Sequence, residues 1–402
     1  MHQCRLSPRE TAPRQRTFAE QKATITPQTS EQICSMSNVP TTPACPTSPL
    51  PPLDELPIDS ILFVSFGGPE GMEDVMPFLE NVLRGKNVPR ERMIEVSEHY
   101  NQFGGVSPIN EQCRQLIAAI EEECKRRSLD LPIYWGNRNW HPMLPETLRT
   151  MATDGRKRAI AFFTSMFSCY SGCRQYRENL AAAQLEVGND APKIEKIRKG
   201  FNHPDFIAAQ KDCLVDALAK LPVEARRDAI VLFCAHSIPK TMADNSRYEE
   251  QLRESAKLIC KAANHANWEL VFQSRSGPPQ QPWLEPDVCD RIEQLHTEQA
   301  LKYIVVQPLG FVSDHMEVLY DLDHEAAELC KEKGIQFVRA ATIGVHPRFI
   351  SMVVDLIVER LSCDTDRPFV GEYGPSHDLC PANCCLYPQI ARRPAPSPNG
   401  TT

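Results

Sequence analysis

Eight short apolar runs, each followed by a stretch of helical character, limit the folds open to this chain. The first opens SILFVSFGGPEG (60–71), and the others lie at 132–140, 158–166, 194–201, 229–235, 268–273, 302–307 and 336–341. Parallel strands need a crossover of a dozen residues or more, and the intervening stretches provide it. Uninterrupted apolar runs such as IAFFTSM (160–166) and AIVLFCAHSI (229–238) suit strands covered on both faces. The expectation is an α/β protein with two four-stranded parallel sheets, flanked by helices and facing one cleft. Polar residues 222–228 mark the crossing between the halves, which gives boundaries of 57–225 and 226–345. A last helix over 346–365, apolar at Phe349, Ile350, Val353, Val354, Ile357 and Val358, is expected to pack back on the first half. Residues 366–402 read as a cysteine-containing tail. Residues 1–56, rich in Pro, Ser and Thr, lack apolar periodicity and read as disordered, and no apolar h-region marks a signal peptide there.

Composition narrows the function. A net charge of -8 over 402 residues, with no basic cluster interleaved with aromatics, argues against a nucleic-acid partner. No apolar run is long enough for a transmembrane helix, so membrane contact is at most peripheral. The chain has 16 cysteines. Cys124, Cys213, Cys234, Cys260 and Cys330 fall inside apparent strands and helices without disulfide-scaffold spacing, which points to reduced thiols and a cytoplasmic location. A serine hydrolase lacks its G-x-S-x-G elbow here, and a zincin its H-E-x-x-H.

Chemistry concentrates at the ends of strands in the second half: Ala235-His236-Ser237, Ser274-Arg275-Ser276-Gly277 and Ser313-Asp314-His315. In open α/β sheets such ends border the ligand crevice. His236 reads as a base or a metal ligand, and His315 with Glu317 as a nitrogen and an oxygen that can share a cation. Downstream of the strand at 303–306, Ser313 or Asp314 is expected to cap a helix that carries Glu317, Asp321 and Glu325 in one column. Like charges so spaced repel, so the column faces water or a bound cation; Asp314-x-x-Glu317 also fits a capping box. Arg275 suits an anion, and Trp283 among prolines suits a flat wall or simply a rigid loop. Ser107-Pro108 is expected to open the helix that runs to 126. In the tail, Cys380, Cys384 and Cys385 are one thiol short of a Cys4 site, which Cys173 or Cys169 can complete; iron-sulfur, zinc, disulfide and free-thiol readings all stay open.

AHSIP (235–239) and GFVSDHMEVLYDLD (310–323) resemble the two signature segments of ferrochelatases, which insert ferrous iron into porphyrins. SFGGPEG, HYNQFGGVSPIN, GNRNWHP and QSRSGPPQQPWLEPD are similar to further segments of that family, particularly its actinobacterial type, and the likeness spans about 58–362. It implies two Rossmann-like domains around a porphyrin. It also implies that His236 and Glu317 are catalytic and face each other across the macrocycle, with Asp321 and Glu325 continuing a track for the metal. Ser107, Tyr176, His99, Tyr100 and Arg84 match positions near the bound tetrapyrrole. Phe66 stands where some members place a tyrosine, so no axial iron ligand carries over. Certain members hold a 2Fe-2S cluster on one internal and three C-terminal cysteines, here Cys173, Cys380, Cys384 and Cys385. Closeness to the actinobacterial type favours coproporphyrin III over protoporphyrin IX, as do Arg84, Lys86, Arg90 and Arg92 on a charged lip. The competing readings are a non-catalytic tetrapyrrole- or metal-binding protein, a chelatase for another divalent metal, and a redox sensor built on the tail thiols.

Overall fold

The computed structural model describes residues 57–85, 88–362 and 366–387. Residues 1–56 and Lys86, for which the sequence raised expectations, lie outside them. The first half runs β1 (Ser60–Ser65), α1 (Met72–Val82), α2 (Arg90–Gln102), α3 (Ile109–Arg126), β2 (Ile133–Asn137), α4 (Leu144–Thr153), β3 (Arg158–Phe163), α5 (Gln175–Val187), β4 (Lys193–Lys196) and α6 (Pro204–Ala219). The second runs β5 (Ile230–His236), α7 (Lys240–Asp244), α8 (Tyr248–Ala263), β6 (Trp268–Gln273), α9 (Val288–Gln299), β7 (Tyr303–Gln307), α10 (Met316–Val318), α11 (Ala327–Glu332) and β8 (Gln336–Arg339), followed by α12 (Pro347–Ser362).

Both sheets are parallel and share one order, β2-β1-β3-β4 and β6-β5-β7-β8. The α/β frame with two four-stranded parallel sheets is therefore as the apolar runs foretold. In each sheet the chain reverses direction of growth at the first strand, between β1 and β3 and again between β5 and β7. Those are the switch points at whose carboxyl ends such sheets bind ligands. The edge strands β4 and β8 are only four residues long, shorter than their apolar runs suggested. α2 was not foreseen, because it buries only Ser97 and Tyr100 and so carries almost no apolar stripe.

One apolar cluster joins the two sheets. It passes from Ile61, Phe63 and Phe162 through Phe201, Phe206, Phe349 and Val353 to Val231 and Phe233. α12 is its hinge-pin: Phe349 meets Phe162 at 6.3 Å and Phe206 at 6.4 Å between ring centres. Arg127 at the end of α3 donates to Ser351 Oγ at 2.6 Å and pairs with Asp355. Deeper, Arg198 forms a forked pair with Glu359 at 2.8 to 3.1 Å, with side-chain exposures of 0% and 8%. Arg367 reaches the same carboxylate at 3.1 Å.

A buried pair resists loss of one partner far more than loss of both, because the survivor is left charged and dry. Glu359→Ala should lower unfolding stability by about 3–5 kcal/mol in urea titration. The double change Arg198→Met with Glu359→Leu should cost less than half as much; equal losses in the two proteins would contradict the description of this pair.

Candidate active site

His236 is the last residue of β5 and stands at the second switch point. Its Nδ1 lies 2.5 Å from the Ser237 carbonyl, which only accepts, so Nδ1 carries a proton and the lone pair of the neutral ring is on Nε2. The strand end is held by Tyr248 Oη donating to the His236 carbonyl at 3.1 Å and by Ser237 N–H donating to the Gln273 carbonyl at 2.8 Å. Nε2 lies 3.6 Å from Glu317 Oε2. A planar ring between two groups needs roughly 7 Å, two van der Waals separations of about 3.5 Å. The expectation that these two side chains face each other across a macrocycle is thus corrected: they are neighbours, with no room for a ring between them.

The helix that carries the carboxylates departs from α geometry. It is α for one turn at α10, π over Leu319–Ala326, then α again in α11. Such wide turns are uncommon and gather at functional sites. Neither Ser313 nor Asp314 caps it. His315 does, its Nδ1 accepting from Val318 N–H at 3.2 Å, so that ring nitrogen is not free to share a cation with Glu317. Asp314 instead pairs with Arg339 at 3.1 Å, and its N–H donates to Gln112 Oε1 on α3 at 2.8 Å.

Asp321 lies one wide turn beyond Glu317, accepting from Gln273 Nε2 at 3.1 Å and from Ser274 Oγ. Gln273 Nε2 also lies 3.2 Å from the Glu317 carbonyl, so the end of β6 grips the π segment at two points. Ser274 holds a left-handed φ of +59°, a strained conformation for a residue with Cβ. Burial pushes the Asp321 carboxyl up to about 7, opposed by the Ser274 hydrogen bond and assisted by the charges of Glu317 and Glu325. Glu325 is also raised, first by burial and then by Asp287. Asp287 and Gln273 were not singled out in the sequence, and at this strand end a ligand role was assigned to Arg275 rather than to its neighbour Ser274. Arg275 donates through Nη2 to the carbonyls of Pro278, Pro279 and Gln281 in its own loop.

The first half contributes an aromatic wall. Val75, Phe78, Leu79 and Tyr100 cluster with Met316, the neighbour of Glu317, and Phe66 and Trp140 pack on them. Tyr100 is buried, and the Glu317 charge adds to burial in raising its phenol pKa. His99 stacks on Tyr320 with ring centres 3.8 Å apart. Burial lowers its pKa. Ser107 is 4% exposed and does not cap α3; it faces Gly68, where a Cβ would lie 2.9 Å from Ser107 Oγ. Tyr176 is 5% exposed beneath Arg138, whose guanidinium lies 4.5 Å from the Tyr176 ring centre and 5.7 Å from that of Phe66. Tyr176 thus meets the site only through Arg138. Arg84 is exposed and donates to Asn81 Oδ1. On the charged lip, Arg90 and Arg92 pair with Glu80 at 3.4 Å and Glu95 at 2.6 Å.

The four cysteines singled out also converge. Cys173 touches Cys380, Cys380 touches Cys384, and Cys384 Sγ is 3.6 Å from Cys385 Sγ. His377 joins them, its Nε2 lying 3.7 Å from Cys384 Sγ. Cys173 lies in a second π turn, Tyr170–Arg174. Cys169 caps that turn, its Sγ accepting from Gly172 N–H at 3.1 Å, so it is engaged otherwise than as the fourth thiol. Buried Lys199 donates to the Ser165 and Gly172 carbonyls, facing Cys173. The tail is pinned by Arg174, which donates to the Ala382 carbonyl at 2.7 Å, and by Arg367 on Asp378.

An imidazole with an open nitrogen beside a carboxylate, at the switch point of a duplicated parallel α/β frame, defines a protein that handles a metal ion and protons together. The family model described as Ferrochelatase matches residues 59–361. The chain belongs to the ferrochelatase family. It is similar to a ferrochelatase of Rhodopirellula baltica, 61% identical over 84% of this chain and 95% of that one. It is also similar to coproporphyrin III ferrochelatases of Streptomyces coelicolor, 48% identical over 85% and 96%, and of Mycolicibacterium smegmatis, 50% identical over 75% and 90%.

The raised Asp321 pKa carries a stability cost with a definite sign. A carboxyl raised from 3.8 to about 7 binds its proton more tightly in the folded state, so its contribution is complete below pH 4 and is lost as pH rises to 7. Asp321→Asn should therefore unfold later than the parent at pH 8, by on the order of 2 kcal/mol, with the gap closing near pH 4. A difference that does not change with pH, read from denaturant midpoints, would contradict this.

Proposed function

We propose that this protein inserts ferrous iron into a porphyrin, and that the adjacency of His236 Nε2 and Glu317 Oε2 is the observation that carries the reading. Metal insertion replaces two pyrrole protons by one Fe2+, so a site needs a proton acceptor and a cation donor next to the ring nitrogens. His236, with Nδ1 already protonated, accepts one pyrrole proton at a time on Nε2 and passes it to solvent before it takes the second. Glu317 holds the substrate iron, strips part of its hydration and releases it to the macrocycle. Asp321 and Glu325, with Asp287 beyond them, form the route by which hydrated iron arrives. Both working groups act from one side of the ring, and the apolar wall of Phe66, Phe78 and Tyr100 supports the macrocycle. Ser107, His99 and Arg84 lie on the porphyrin side, and Tyr176 serves by positioning Arg138.

Coproporphyrin III is the favoured substrate, supported by the names of relatives nearly half identical over most of the chain. Arg84, with Asn81 rather than a carboxylate as its partner among the described residues, is the lip cation best suited to an additional propionate. Four sulfurs in sequence fit a 2Fe-2S cluster, which Cys173, Cys380, Cys384 and Cys385 hold; when bound it supplies one-electron exchange at the seam between tail and core. A cytoplasmic place for the reaction accords with such a reduced thiol set.

Two outcomes test this. His236→Ala and Glu317→Gln should each lower kcat/KM for iron insertion by about 100-fold or more while changing porphyrin affinity little, since proton and metal handling lie apart from the binding wall. Near-normal turnover in either variant would remove the assignment. Compared under one detergent condition, coproporphyrin III should have the higher kcat/KM; an advantage of about tenfold for protoporphyrin IX, near 1.4 kcal/mol, would overturn the choice of substrate.

A further inference from the structure

The tail pocket offers five donor groups where a two-iron cluster takes four protein ligands. His377 is the fifth, beside the four cysteines. One of its ring nitrogens, Cys380 Sγ and Cys384 Sγ all lie within 4.8 Å of one another. Without the imidazole, the sulfurs of Cys173, Cys380, Cys384 and Cys385 already form an unbroken series. Cys385 is buried and holds a left-handed φ of +52°, a conformation unfavourable for a residue with Cβ, and its sulfur lies beside that of Cys384. That cost is intelligible if Cys385 is one of the four ligands. His377 then stands outside the set, in contact with one of its sulfurs. A metal-bound thiolate has no proton to give, so an imidazole nitrogen 3.7 Å from it must be the donor.

Resting on the cluster reading above, we propose that His377 is a positioning residue of the iron-sulfur site, donating Nε2–H to the Cys384 thiolate and so raising the cluster's reduction potential. Hydrogen bonds to cluster sulfurs are one of the levers that set such potentials, because a donor favours the more negative, reduced state. The backbone presents the ring from a fixed place. The His377 carbonyl accepts from Lys196 Nζ at 3.2 Å, and the next residue, Asp378, pairs with Arg367.

The test uses the full chain purified without air, with His377→Leu, His377→Gln and Cys385→Ser beside the parent. Iron and acid-labile sulfide content, resonance Raman spectra and the midpoint of a dithionite titration are read for each. Both His377 variants should keep the parent's iron and sulfide. The Leu variant should shift to a lower midpoint and lose the Raman signature of a hydrogen-bonded sulfur, whereas Gln, which retains an N–H donor, should shift less. Cys385→Ser should lose the cluster. An unchanged midpoint in His377→Leu overturns the proposal, and so does loss of iron in both His377 variants with retention in Cys385→Ser, which would make His377 a ligand. Absence of iron and sulfide from the parent protein would sink the cluster reading itself, and the role of His377 with it.

Discussion

The short distance between His236 and Glu317 depends on a backbone contact. After β7 the chain passes over the end of β5, where Gly310 N–H donates to the Cys234 carbonyl at 3.1 Å. A Cβ at 310 would sit 2.8 Å from Ala235 Cβ and 2.9 Å from its Cα, closer than atoms of a packed core approach. A glycine there lets the loop lie flat on the strand that delivers His236. The chain then turns through His315 into the helix that delivers Glu317. The imidazole and the carboxylate thus come from two neighbouring parallel strands clamped together one residue before the site begins.

The site spends stability that the frame supplies. A π turn, a left-handed Ser274 and a half-buried carboxylate raised toward neutrality are each unfavourable alone. They persist because the end of β6 holds the π segment through Gln273 and Ser274, and because β6 is itself paired with β5 along its length. The shared core around α12 does the same between halves: it fixes α3, which holds Asp314 through Gln112. The charges of Glu317 and Glu325 both raise the pKa of Asp321, so the three carboxylates of the column are felt by one another.

The sequence made the frame plain because the central strands β1, β3, β5 and β7 are apolar runs buried along nearly their whole length, whereas α2, with two buried residues, had no stripe to read. The caps expected at Ser107 and Asp314 do not form because each faces a tertiary neighbour that spacing cannot reveal, Gly68 and Arg339, whereas Ser313 is buried with its Oγ unpartnered among the described residues. The acidic column was legible as a four-residue repeat, but that repeat fits an α turn and a π turn almost equally, so the wide geometry was not. His236 and Glu317 stood out through their motifs rather than their spacing, and nothing local joined Cys173 to Cys380 across two hundred residues. Ser274 carried a signal that went unused, since small polar residues at strand ends are common and only its positive φ and its bond to Asp321 distinguish it.

The proposed chemistry requires the proton acceptor and the metal holder to be neighbours on one side of the macrocycle. Anomalous scattering from crystals of the protein soaked with zinc, in the absence of porphyrin, tests it most directly. An ion within roughly 2.0–2.2 Å of both His236 Nε2 and a Glu317 carboxylate oxygen is the predicted result. Zinc ordered at the acidic column or the tail cysteines, with His236 and Glu317 metal-free and turned away from each other, would contradict it.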